Sequence, residues 1–262
     1  MLQLKKAIRL ECLRQPFKKA IITAAQLGAD AIEINGRTEI RASEMSRTGV
    51  RHLRKMLADL NLQISAVHFP TRRGYGTTDD LDRRIEATKA AMTMAYELGC
   101  NVVNNKIERV PTDHEHPDWT TMVQALSDIG NFSQKCGAWL AARTGTEDGK
   151  TLKKLMDALP INSLGVDFDP ADFLINGLSA TDSIKTIGQH VMNFRARDAV
   201  HDLSQGRGVE VQLGRGSVDW ASLLGTLEEN NYTGYLTIER ESEEHSIEQI
   251  GQAIEYLTNL FR

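Results

Sequence analysis

Residues able to move protons, hold cations or grip anions stand in this chain at the ends of short apolar runs. Glu33 and Asn35 close one such run, His68 another, and Asn105 with Lys106 a third. Arg143, then Asp167 and Asp169, then Arg195, Arg197 and Asp198, then Glu239 and Glu241 close four more. Carboxylates and an imidazole pass protons to and from a substrate that lies within hydrogen-bond reach. Several carboxylates with one imidazole also suit a divalent cation, because they offer oxygen and nitrogen lone pairs. Arginine does the opposite work: it presents N–H donors and no lone pair, and it clamps carboxylates or phosphates at two points. Lys106 is a base or a carbonyl-attacking amine where it is desolvated, and an ordinary surface lysine where it is not. His68 suits substrate hydrogen bonding and a satisfied structural place equally well.

Two glycine-bearing stretches carry further arginines. Thr71-Arg72-Arg73-Gly74-Tyr75-Gly76 reads as a lid over an anionic ligand or as a solvated surface loop. Residues 206–214 alternate like a small hairpin, and the excursion over 204–216 makes Arg207 and Arg215 candidate anion ligands. His114-Glu115-His116 has chelating spacing, but its polar, Pro117-flanked setting reads first as a solvated loop.

These residues need a frame. Short runs rich in Val, Ile, Leu and Ala alternate with longer amphipathic stretches, the pattern of strand followed by helix. Strands are expected over 6–10, 31–35, 63–69, 101–107, 138–144, 164–169, 191–197 and 235–240. Helices are expected over 17–27, 43–60, 79–98, 118–136, 147–159, 179–189, 219–230 and 247–260. Ser43 is the expected N-cap of the second helix. Eight units in 262 residues average about 33 residues each, the size of a βα repeat. The pattern therefore predicts a single (β/α)8 barrel, one α/β domain over 1–262. An open doubly wound sheet is the alternative, but it often carries a glycine-rich phosphate loop after its first strand. Here that stretch is Glu11-Cys12-Leu13-Arg14-Gln15-Pro16, without a glycine. In a barrel the site forms at the C-terminal strand ends, where the polar residues above fall.

Composition narrows the function classes. A net charge of -4 argues against a nucleic-acid protein, which needs a basic surface. No run approaches the length of a membrane-spanning helix, and the first residues lack a signal-peptide core, so a cytoplasmic protein without membrane partners is expected. Cys12, Cys100 and Cys136 have neither zinc nor redox spacing and read as reduced, buried thiols.

Several stretches resemble the xylose-isomerase-like barrels, a group of sugar and sugar-phosphate isomerases, epimerases and inosose dehydratases. Gly165-Val166-Asp167-Phe168-Asp169-Pro170-Ala171-Asp172 resembles their sixth strand, where an aspartate binds metal. Gly214-Arg215-Gly216-Ser217-Val218-Asp219-Trp220 resembles their glycine-rich turn before the seventh helix. Tyr232-Thr233-Gly234-Tyr235-Leu236-Thr237-Ile238-Glu239 resembles their eighth strand, which ends in a glutamate. Ala29-Asp30-Ala31-Ile32-Glu33-Ile34 and Ser65-Ala66-Val67-His68 fit the second and third strands.

The resemblance implies one divalent metal (manganese, magnesium, cobalt or zinc) held by a glutamate, an aspartate, a histidine and a glutamate from strands five to eight. It also implies proton movement at a carbon beside a carbonyl, with the metal as Lewis acid and the glutamates exchanging the proton. Asp169 and Glu239 match their positions. The strand-five glutamate falls at Arg143 and the strand-seven histidine at Arg195, with a common preceding histidine at Asn193. Asp172 stands where many members place a substrate-binding histidine. A guanidinium cannot ligate a cation, so the metal site is expected to be degenerate and no resident cofactor is expected. A salt-bridge cluster of Arg143, Arg195, Asp169 and Glu239 is expected in its place, either as an ion-pair core or with one arginine left to hold an anionic sugar.

The expected function is that of a sugar or sugar-phosphate isomerase or epimerase-like barrel, with Glu239 and His68 as catalytic candidates. Arg143, Arg195, Glu33, Lys106, Arg72 and Arg207 are the candidate substrate ligands. A small carbohydrate or sugar phosphate is the expected partner, with homo-oligomers as in many relatives. A non-catalytic carbohydrate sensor or regulatory protein is the alternative, and a metal-free epimerase or dehydratase a third. The abasic-site endonucleases of related fold carry several metal-binding histidines that this chain lacks.

Overall fold

β1 (Lys5–Arg9) pairs with both β2 (Ala31–Asn35) and β10 (Tyr235–Ile238), which closes the sheet on itself. Between them run β3 (Gln63–His68), β4 (Val102–Asn105), β5 (Trp139–Arg143), β6 (Gly165–Phe168) and β7 (Val191–Ala196), all parallel. Around the barrel the order is β1-β10-β7-β6-β5-β4-β3-β2. This is the expected TIM barrel, and the computed structural model describes residues 5–202, 207–241 and 246–260 of it. Helices α1 (Phe17–Gln26), α2 (Arg47–Asp59), α3 (Leu81–Glu97), α4 (Pro117–Cys136), α5 (Gly149–Asp157), α7 (Ala180–Ile187), α8 (Trp220–Glu229) and α9 (Ser246–Leu260) surround it.

Successive side chains of a strand point to opposite faces. On β6 and β7 the outward residues Phe168 and Phe194 stack at 5.4 Å, and Phe194 meets Trp220 of α8 edge-on at 6.0 Å. Burying each such ring stabilises the fold by about 1.5–3 kcal/mol. The inward residues are polar. Thr237 Oγ1 donates to Asn193 Oδ1 at 2.8 Å, and Asn193 Nδ2 donates to Asp167 Oδ1 at 2.7 Å. Layers of branched apolar side chains usually fill such a barrel. Here the upper layers are hydrogen-bonded and charged.

Three local features differ from expectation. Ser43 lies in a short 3-10 turn, and Ser46 caps α2 by accepting the Gly49 N–H. The 3-10 turn Ala42–Glu44, flanked by extended Arg41 and Met45, takes up the residues before it, so the helix starts later. A short helix not expected from the sequence, α6 (Pro170–Ile175), follows β6 and is capped by Asp169, which accepts the Asp172 N–H. Six residues are too few to show helical periodicity. The suggested hairpin exists, and its first strand is β8 (Asp198–Asp202), paired antiparallel with β9 (Arg207–Val211). Residues 204–206 of the 204–216 excursion lie outside the described residues.

Asp198 anchors that excursion. Its carboxylate accepts the backbone N–H groups of Ala199, Gly214, Gly216 and Val218. A Cβ on Gly216 would overlap this carboxylate, so only glycine fits there.

Candidate functional site

Arg195, on β7, is buried entirely inside the barrel. Its Nε donates to both oxygens of Asp167 at 2.9 and 3.0 Å, and its Nη2 reaches Asp167 Oδ2 at 2.7 Å. Across the lumen, Nη1 donates to Glu33 Oε1 at 2.8 Å and to Glu239 Oε2 at 3.0 Å. One guanidinium thus ties together β2, β6, β7 and the end of β10. The sheet register shifts between Ile32 and Glu33 and between Val166 and Asp167, at the two carboxylates that hold it. Such bulges re-aim side chains.

Glu239 sits above Arg195 and collects two further arginines. Arg143 Nη1 donates to its oxygens at 3.0 and 2.9 Å, and Arg9 Nη1 donates to Oε1 at 2.7 Å. Arg143 also donates from Nη2 to Asp169 Oδ2 at 2.6 Å. Arg197 Nη1 reaches Asp169 Oδ2 and Asp172 Oδ1, both at 2.7 Å. Its Nη2 is 2.9 Å from Glu241 Oε1 without hydrogen-bond alignment. Each of these arginines has a carboxylate partner, as buried charge requires.

Burial drives the Glu239 carboxyl toward its neutral form, and Arg143, Arg195 and Arg9 outweigh it, so Glu239 stays well below the usual carboxylate range. For Asp169 burial again pushes upward, and Arg197 and Arg143 win, lowering it. His68 is pushed down to about 3, first by burial and then by the positive charge of Arg9 and Arg195. It is therefore neutral at ordinary pH.

Its tautomer follows from its neighbours. Asn104 Nδ2 donates to Glu33 Oε2 at 2.8 Å, which leaves Asn104 Oδ1 facing His68 Nδ1 at 2.7 Å. An amide oxygen only accepts, so Nδ1 carries the proton and Nε2 keeps its lone pair.

A cleft of about 430 Å³ opens over this network at the C-terminal mouth. Glu239, Arg143 and His68 line its floor, and Lys106 lines its wall, exposed and with no ion pair among the described residues. Of the expected ligand residues, Glu33 and Arg195 have no exposed surface and form the foundation beneath the floor. Arg207 is exposed, opposite Asp202 in the hairpin, and is not among the cleft residues. Arg72 faces a second cavity, described below. His116 caps α4 and His114 stacks on Trp119 at 4.1 Å, so that pair is structural.

Sequence reasoning missed Arg9 and gave Asp167 and Arg197 no role. Arg9 ends the first strand as Glu239 ends the last, and the two strands are neighbours in any closed barrel. That position was the available signal.

A family model described as xylose isomerase-like TIM barrel matches residues 21–260. An inosose dehydratase of Clostridium perfringens is 22% identical over 222 residues, 74% of each chain. The structure of a D-allulose 3-epimerase from Methylomonas sp. in complex with D-allulose superposes with a TM-score of 0.74 at 17% identity, covering 99% of this chain and 98% of that one. A xylose isomerase-like TIM barrel protein from Mycobacterium smegmatis in complex with magnesium gives 0.76 at 14% identity, covering 99% and 96%. At these identities the likeness to the structures is one of fold.

Proposed function

The chain belongs to the xylose isomerase-like TIM-barrel family, and from that premise we propose that it binds a small carbohydrate at its C-terminal mouth without a divalent metal. The observation that carries this is the Arg143 guanidinium, 2.9 Å from Glu239 and 2.6 Å from Asp169. It spends its N–H groups on the oxygens that a cation would need, and Arg195 adds a second fixed positive charge. A donor set with guanidinium at two positions does not fit Mn²⁺, Mg²⁺, Co²⁺ or Zn²⁺.

His68 in this reading accepts a hydrogen bond from a substrate hydroxyl through Nε2. It is no general acid near neutral pH, because its proton affinity is too low. Lys106 is a cation of the wall without an ion pair among the described residues. A cytoplasmic, homo-oligomeric protein belongs to the same proposal, supported in the first respect by the three free cysteines.

One observation favours a non-catalytic sensor or regulatory protein over an isomerase. Glu239 accepts from three guanidiniums and is held well below the usual carboxylate range, which makes it a weak base.

Elemental analysis of the purified chain tests the main reading. Substoichiometric metal is expected, and one tightly bound metal per chain overturns it. The double variant Arg143→Glu, Arg195→His is expected to gain metal. Ketoses incubated with chelator-treated protein in heavy water separate the two functional readings. Deuterium entering carbon beside the carbonyl marks a metal-free enzyme, and ligand binding without exchange marks a sensor.

A further inference from the structure

A second cavity of about 680 Å³ adjoins the mouth, lined by Arg37, Arg72, Arg73, Arg83 and Arg84 with only Asp79 and Asp80 to offset them. Two of these arginines are already committed. Arg73 pairs with Asp79. Arg84 is buried and donates to the backbone carbonyls of Gly74, Thr77 and Asp79. Arg37, Arg72 and Arg83 remain, exposed, each from a different element and none with a carboxylate partner among the described residues.

The surroundings position Arg37 and the backbone that carries Arg72. The Arg37 guanidinium lies 4.3 Å over the Phe69 ring, which covers one face and leaves the N–H edge free. The loop that carries Arg72 is pinned. Asn105 Nδ2 donates to Thr71 Oγ1 at 2.7 Å and to Tyr75 OH at 3.1 Å, and Tyr75 OH meets Thr88 Oγ1 at 2.8 Å. Gly74 packs so closely on the Ile107 carbonyl that a Cβ has no room. The 71–76 stretch is thus a fixed platform in this structure rather than a loose lid, and Arg83 rises beside it from the first turn of α3. Convergent guanidiniums repel one another, and a dianion relieves that repulsion with two-point hydrogen bonds. A platform ordered beforehand loses less entropy on binding.

We propose that this cavity is a phosphate subsite and that the carbohydrate bound at the mouth is phosphorylated. Thr71 lines both cavities, so one molecule can place its sugar over His68 and its phosphate among Arg37, Arg72 and Arg83. The inference rests on the carbohydrate reading of the mouth.

Calorimetry of the full chain at low ionic strength tests it with inorganic phosphate and a matched panel of free and phosphorylated ketoses. Phosphate is expected to bind saturably, and a phosphorylated ketose more tightly than either phosphate or the free sugar. The double variant Arg72→Ala, Arg83→Ala is expected to weaken both anions roughly tenfold or more and to leave free-sugar binding and melting temperature unchanged. Arg207→Ala removes a charge elsewhere and is expected to change nothing. Three results overturn the proposal: no phosphate binding, equal weakening by Arg207→Ala, or phosphate binding with no gain for the phosphorylated sugar. Free-sugar binding that survives any of these leaves the mouth reading standing. Phosphate binding with neither sugar form bound at the mouth overturns both.

Discussion

Arg195 faces Asp167 on the neighbouring strand as a fork, with Nε 2.9 Å from Oδ1 and Nη2 2.7 Å from Oδ2. Both residues are fully buried, so neither can exchange its partner for water. The pair fixes the guanidinium plane, and that plane decides that the remaining N–H groups meet Glu33 and Glu239.

Removing this arginine leaves buried carboxylates without compensation. Arg195→Met is expected to cost about 3–5 kcal/mol of stability, the usual penalty for breaking a buried pair from one side. Arg195→Lys is expected to be destabilising too, since one ammonium cannot replace a planar fork. Urea denaturation measures both, and a loss under about 1 kcal/mol for Arg195→Met would contradict the network's assigned weight.

The neutral His68 makes stability pH-dependent. An unfolded histidine takes up its proton near 6.5, whereas the folded ring does so near 3. Between those values unfolding absorbs a proton, so stability falls as pH falls from about 6.5 toward 3. His68→Gln is expected to flatten that slope between pH 6.5 and 5, relative to the unaltered chain measured alongside it. Denaturation midpoints across that range decide the point.

Nitrogen NMR of the His68 ring is expected to report Nδ1 protonated and Nε2 bare. Asn104→Asp puts a carboxylate beside the ring, which favours the imidazolium, and it removes the donor to Glu33. His68 is then expected to titrate nearer its ordinary value of 6.5. An unchanged titration would mean that Asn104 does not govern the ring.

Gly216→Ala is expected to destabilise the chain by about 1–3 kcal/mol, since the added methyl displaces the Asp198 carboxylate from its amides. Asp198→Asn halves the acceptors available to those N–H groups and is expected to act in the same direction. Thermal melts of the two variants provide the comparison.

The barrel was legible because apolar runs and amphipathic stretches alternate at a steady spacing. Helix α6 was not, because its start is set by a side-chain cap from Asp169 rather than by periodicity. At the site, the arginines at positions 143 and 195 pointed to an ion-pair cluster. Its membership followed from strand order only in part: Arg9 beside Glu239 follows from closure of the barrel at β1 and β10, whereas Glu33 joins Arg195 from across the lumen, which strand order does not reveal. Arg72 was visible as an anion-binding candidate, but the pinning of its loop by Asn105 depends on contacts between β4 and a segment far earlier in sequence.

The charged lumen also constrains which sequences lie within reach of this one. Arg143→Glu alone reverses a charge beside Glu239, Asp169 and Asp172, and Arg195→His alone strips the fork from Asp167 and Glu33. Each single step passes through a less stable protein, while paired replacements that admit a cation restore the balance. A path from this sequence to a metal-binding barrel is therefore expected to be strongly epistatic: its first substitution is penalised until the second, and the metal, arrive.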